Sequence, residues 1–100
     1  MLYCIFVATI IKVKIDYNPA KNAKNIEERG LSFDLAEEFN FESALIWQDV
    51  RSDYGELRFN ALGYIDNGLY HMTFTPHGGA MRVISLRKAN SREVRKYAKT

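Results

Sequence analysis

The chain is poor in the residues that usually announce a metal centre, a crosslink or a membrane anchor. Cys4 is the sole cysteine, so no disulfide can close within the chain and no cysteine-based metal site can assemble from it. His71 and His77 are the two histidines, and no third ligand stands in register with them. The longest apolar run is the opening "MLYCIFVATII", far short of the ~20 residues a membrane-spanning helix requires. It also lacks the basic stretch and small-residue cleavage site of an export signal. Its Val, Ile, Tyr and Phe content predicts a β-strand, with residues 1–13 read as an edge strand or an N-terminal extension. Repeats, linkers and low-complexity stretches are absent from the sequence.

What is present suits one packed domain over residues 1–100. Apolar residues make up 47% and aromatic residues 13%, too many for a disordered chain, and 100 residues suffice for a single core. The formal charge of +2 hides a strong asymmetry. The closing segment "MRVISLRKANSREVRKYAKT" holds Arg82, Arg87, Lys88, Arg92, Arg95, Lys96 and Lys99 against one acid, Glu93, for a balance of +6. The other eighty residues carry −4.

Local signals divide the chain into elements. Asn18 as N-cap, Pro19 at the first helical position and Gly30 as terminator frame a first helix. "LSFDLAEEF" restarts at Ser32 and predicts a second helix of about two turns. From Ala44 onward the β-rich runs "ALIWQD", "LRFNALGYI", "LYHMTFT" and "AMRVISLR" are separated by "VRSDYGE", "DNG" and "PHGG". Asp66-Asn67-Gly68 and His77-Gly78-Gly79 supply the positive φ that tight hairpins require, so an antiparallel meander is expected. Asn90 and Glu93 have the spacing of a capping box that opens a last helix. On it Val94, Tyr97 and Ala98 share an apolar face, while Arg92, Arg95, Lys96 and Lys99 occupy the other side. The order β-α-α-β-β-β-β-α defines an α+β domain: a meander of about four strands plus an N-terminal strand, with two N-terminal helices and one C-terminal helix packed on it.

Three of these segments together resemble a known family. "IDYNPAKNAKNIEERGLSFDLAEEF" resembles the opening motif of the BrnT family of bacterial type II toxins, where an acidic-aromatic pair, Pro-Ala-Lys, an Asn and a Gly precede an "SF" helix. "YGELRFNALGYIDNGLYHMTFT" is similar to its Arg-aromatic strand and hairpin, and "MRVISLRKANSREVRKY" to its basic closing signature. The likeness runs from about Ile15 to Tyr97 with the motifs in family order. Two positions depart from it: Arg29-Gly30 stands where the family often has His-Gly, and "ISLR", with Leu86, replaces "ISAR". The resemblance implies a RelE-like fold and a cytoplasmic, metal-independent endoribonuclease that needs no cofactor, cuts RNA and inhibits translation. It also implies neutralisation by a BrnA-like ribbon-helix-helix antitoxin, with DNA touched only indirectly through the antitoxin complex. The two departures favour the alternative of a catalytically inert relative that only binds its antitoxin or nucleic acid.

Metal-free RNA cleavage needs a group to activate the 2′-OH, positive charge for the phosphorane and a proton for the departing 5′ oxygen. Arginine suits the second task, because its fork is always charged and grips phosphate oxygens in pairs. Arg58 and Arg87 are the candidates for the scissile phosphate. Strict alternation along "RVISLR" places Arg82 and Arg87 on opposite faces. Glu93 and Tyr97, spaced i, i+4 on one helical face, are candidates for taking the 2′-OH proton and for orienting a phosphate or stacking on a base. His71, opposite in parity to Tyr70, Met72 and Phe74, is the candidate general acid or base. His77 is expected to be a turn residue. Arg82, Lys88, Arg92, Arg95 and Lys96 form the expected RNA-binding surface, which an acidic antitoxin segment could equally cover.

Overall fold

The computed structural model describes residues 14–51 and 55–100. The strand expected over residues 1–13 lies outside the described residues. Beyond them the chain opens with a short strand, β1 (Ile15–Tyr17), followed by helix α1 (Pro19–Arg29). Asn18 caps α1 by accepting the amides of Ala20 and Lys21, and Gly30 ends it in the left-handed region, at φ 70°. The second helix expected from "LSFDLAEEF" is a 3₁₀ helix, Phe33–Glu38, with Ser32 accepting the Asp34 amide. It is tied back to α1, where Asn22 accepts the Phe33 amide at 2.8 Å.

The meander then runs through β2 (Leu45–Gln48), β3 (Phe59–Ile65), β4 (Gly68–His77) and β5 (Ala80–Lys88) to helix α2 (Ser91–Ala98). The sheet order is β1-β5-β4-β3-β2, antiparallel throughout except for β1, which pairs in parallel with Met81–Val83 of β5. Gly78 and Gly79 close the β4–β5 hairpin with both φ values positive, 56° and 79°, as a two-residue turn of matching twist requires. At the other hairpin the positive φ falls on Asp66, at 53°, and Gly68 already belongs to β4.

One face of the sheet carries Ala61, Met72, Val83 and Leu86 against Phe33, Ala36 and Phe39, and this is the core. The 3₁₀ helix approaches so closely that Gly63 has room for no side chain: a Cβ there would lie 2.5 Å from the Phe39 ring. Beyond the end of β1, the Asn25 side chain donates to the carbonyls of Leu31 and Leu86 at 2.9 Å each, fastening α1 to the sheet where β5 has lost its neighbour.

The opposite face carries His71 and Arg87. Its register aligns Leu45, Leu62, His71 and Arg87 in one row across the strands, and Trp47, Asn60, Thr73 and Ser85 in the next. Helix α2 lies over this face. The Tyr97 ring stands edge-on to Tyr64 with centroids 5.6 Å apart, and its hydroxyl donates to the Ser43 carbonyl at 2.8 Å. The apolar stripe of α2 is therefore not a core stripe: Val94 stays 47% exposed and no residue of α2 is buried.

Candidate functional site

Alternation alone sends Arg82 and Arg87 to opposite faces, but the strand is not regular. Pairing between β4 and β5 steps from Thr73–Ser85 to Phe74–Val83, so Ile84 has no counterpart. This bulge inserts one residue and reverses the parity beyond it. Met81, Val83 and Leu86 thereby all reach the core, and Arg82, Ser85 and Arg87 share the other face. The expectation of opposite faces is thus corrected, because a five-residue separation across a bulge behaves as four.

Arg87 lines a hollow of about 380 Å³ with Arg29 from the end of α1, Trp47 of β2, Arg51, Asn60 of β3, His71 and Thr73 of β4, Ser85 of β5 and Glu93 of α2. Within it Arg87 and Glu93 form a two-pronged ion pair, with nitrogen–oxygen distances of 2.8 and 2.7 Å. Glu93 also accepts the Asn90 amide at 3.0 Å, while Asn90 accepts the Glu93 amide, completing the capping box. The Arg87 guanidinium holds the Glu93 carboxyl down to about 2, so the pair is ionised at every physiological pH. Planar fork against planar carboxylate fixes the guanidinium in direction as well as in position.

His71 sits beside Arg87 in register and is only 8% exposed. Burial pushes its imidazole down to about 4, and the charge of Arg87 adds to the effect. Its Nδ1 is buried and has no hydrogen-bond partner among the described residues. A protonated ring would need an acceptor for that nitrogen, so geometry and burial agree that His71 is neutral at pH 7. The floor next to it is satisfied internally: the Thr73 hydroxyl donates to Asn60 Oδ1 at 2.9 Å, and Asn60 also hydrogen-bonds Asp49. Asp49 receives the Arg51 guanidinium at 2.9 and 2.7 Å, which holds its carboxyl well below the usual range.

The remaining expected residues are distributed differently. Arg58 does not line the hollow; it precedes β3 and pairs with Glu56 at 3.1 Å. Arg82 shares the face but lies toward the other end, donating to Asp16 at 3.0 and 3.2 Å, where His77 Nδ1 also approaches at 3.2 Å. His77 is thus more than a turn residue. Tyr97 does not line the hollow, and its hydroxyl is engaged with Ser43. Lys96 does not belong to the outer side of α2: its Nζ stands 3.7 Å from the Trp47 ring centre. Arg92 and Arg95 are exposed on α2, whereas Lys88, exposed at the end of β5, pairs with Tyr70 and alternates to the face away from Arg87. Sequence reasoning did not select Arg29, Trp47, Arg51, Asn60, Thr73 or Ser85 as site residues. Of these, Arg29 had a signal, as a departure from a family pattern, and Trp47 had one as the single tryptophan.

The features so far define a small α+β protein with an arginine-lined hollow under a basic C-terminal helix. The family model described as the ribonuclease toxin, BrnT, of type II toxin-antitoxin systems matches residues 17–93, and the chain belongs to that family. Every residue of the hollow falls within the matched span. A protein antitoxin partner follows from membership of a type II system. No curated protein sequence matches the chain. Among the described residues no helix is long and apolar enough to cross a membrane.

Proposed function

We propose that the hollow is an RNA-cleavage site and that the chain is a metal-independent endoribonuclease whose activity inhibits translation. The observation that carries this reading is the Arg87 guanidinium, aimed by Glu93 and set beside a buried, neutral His71. Arg87 and Arg29 hold the scissile phosphate. His71 takes the 2′-OH proton as the 2′ oxygen attacks phosphorus, and the bond from phosphorus to the 5′ oxygen breaks, that oxygen taking its proton from water. A 2′,3′-cyclic phosphate and a 5′-OH end result. Phosphate binding offsets the positive field of Arg87 and moves the His71 imidazole back toward its ordinary range, which improves it as a base.

Glu93 fits a different task from the one its spacing suggested. A carboxylate with a pKa of about 2 is a poor acceptor for an alcohol proton, so Glu93 is assigned the positioning of Arg87. Tyr97 anchors α2, and Arg58 and Arg82 serve outside the hollow. Arg92 and Arg95 extend the phosphate track along α2, and Lys88, at the end of β5, lies off it. The same basic helix is the surface for an acidic segment of a BrnA-like ribbon-helix-helix antitoxin, through which alone DNA is contacted. The sheet order and the C-terminal helix over its open face support a RelE-like fold, and the family reading supports a cytoplasmic site of action.

The test is induction in a bacterial host of wild type, Arg87→Ala, Arg87→Lys and Glu93→Gln, following growth and total RNA, with the purified proteins assayed on RNA in excess chelator. Wild type should arrest growth and cut RNA with chelator present. Arg87→Ala should lower cleavage by about 10²–10³-fold. Arg87→Lys should not restore it, because an ammonium cannot grip two oxygens in one plane. A soluble, folded wild type that leaves growth and RNA intact would move the inert binding module ahead, and Arg29→His would then be the variant to make.

A further inference from the structure

Trp47 is the only tryptophan in the chain. It belongs to β2, an edge strand of the sheet among the described residues, and its half-buried ring lines the same hollow as Arg87, with β3 and β4 between their two strands. The ring stands edge-on to His71, with centroids 6.1 Å apart, so the reacting pair and the indole are neighbours. What covers the indole is a cation on an exposed residue, Lys96 Nζ, 3.7 Å from the ring centre. A cation over an aromatic face at a solvent-facing site is held weakly, while a stacked nucleobase is held more strongly. A base arriving over Trp47 therefore gains by displacing Lys96, and the freed ammonium remains beside the phosphates that come with the base.

We propose that Trp47, with Lys96 as its displaceable cover, is a nucleobase platform, so that the hollow takes single-stranded RNA with one base stacked on the indole and the adjoining phosphate at Arg87. This rests on the reading of the hollow as an RNA site and adds its substrate class. A duplex cannot use the platform, because its base faces are already stacked on one another. The polar floor next to the ring is also occupied, Asn60 and Thr73 being bonded to each other at 2.9 Å and Asn60 to Asp49. Asn60 and Thr73 are thereby engaged with protein groups and not held ready for one base edge, so the stacked position tolerates different bases.

A lone tryptophan makes the experiment direct, since all indole fluorescence comes from this position. The full-length protein is titrated with a labelled single-stranded 2′-deoxy oligonucleotide, which lacks the attacking hydroxyl and cannot be cleaved by this route. Anisotropy reports binding and indole emission reports stacking. The same strand in a duplex, the strand with abasic positions and inorganic phosphate are the comparison probes. The single strand should bind and quench, and the three comparison probes should leave the emission unchanged. Trp47→Ala should weaken single-strand binding by about 5–100-fold, and Trp47→Phe should recover most of it. Binding without quenching and with unchanged affinity in Trp47→Ala would overturn the platform while leaving the ribonuclease reading to the cleavage assay. Equal quenching by the duplex, or no binding of the single strand, would overturn it too.

Discussion

At the scale of single residues, the hollow shows how burial and one neighbour can set two titratable groups apart. Two groups selected for proton transfer, Glu93 and His71, lie on either side of the same guanidinium, and their environments separate them. Glu93 gains the ion pair and a backbone amide and becomes a fixed anion. His71 gains burial and a positive neighbour and becomes a neutral ring. The consequence for stability has a definite sign. An unfolded chain protonates its histidine near pH 6.5, whereas folded His71 waits until about 4. Between those values the unfolded state binds more protons, so the His71 contribution to stability is full above pH 6.5 and is lost as the pH falls to about 4. At most about 3 kcal/mol is at stake. Groups facing the ring contribute through charge: Arg87 and Arg51 oppose its protonation, and Glu93 and Asp49 favour it. Nuclear magnetic resonance of the His71 ring protons should show no titration between pH 7 and 5, with a midpoint near 4. A midpoint near 6.5 would remove both the stability slope and the reason for calling the ring a buried neutral base. The parity of His71 was legible in the sequence, since Tyr70, Met72 and Phe74 so plainly alternate with it. Its burial was not, because that depends on neighbours distant in sequence, the Trp47 ring among them.

At the scale of elements, the parts that short-range chemistry dictates were the legible ones. Asn18, Gly30, the Asn90–Glu93 box and the Gly78-Gly79 turn each work within four residues, and each is found where the sequence put it. Register does not work within four residues. The bulge at Ile84 exists only in the pairing of β4 with β5, so strict alternation placed Arg87 away from Arg82 when the two share a face. Chain order likewise does not show that Arg58 lies outside the hollow. Gly63 belongs to the same class of non-local facts: nothing around it in sequence explains a glycine in mid-strand, but Phe39 does. A Cβ at this position would stand 2.5 and 2.7 Å from that ring and 3.1 Å from Ala44 Cβ, while Phe39 itself is buried in the core. Gly63→Ala should therefore destabilise the fold by about 1–3 kcal/mol despite the better strand geometry of alanine. In thermal unfolding this is a fall of roughly 4–8 °C for each kcal/mol in a domain of this size. An unchanged melting temperature would mean that the 3₁₀ helix is not pressed against β3 as described.

At the scale of the whole molecule, the charge asymmetry finds a place in the architecture. The C-terminal segment, at +6, supplies β5 and α2, and these meet at the Arg87–Glu93 pair. The excess of cations runs from the hollow along one helix, while the rest of the chain, at −4, makes up the other strands and α1. Such a separation orients a polyanion before contact and concentrates counterion release on one face. Single-stranded nucleic acid that engages about four phosphates there should bind with a log-log salt slope of roughly −3, a loss of about 50-fold between 50 and 200 mM salt. Because Arg92 and Arg95 on α2 and Lys99 at its C-cap lie outside the hollow, neutralising any two of them should flatten that slope by roughly 1 to 1.5. Cleavage of RNA already bound should be little affected by the same change, because Arg29, Arg87 and His71 remain in place. A slope that stays near −3 in the double variant would instead place the phosphate track on the α1 side of the hollow, along Lys21 and Lys24. The basic helix would then be left as a surface for the antitoxin alone.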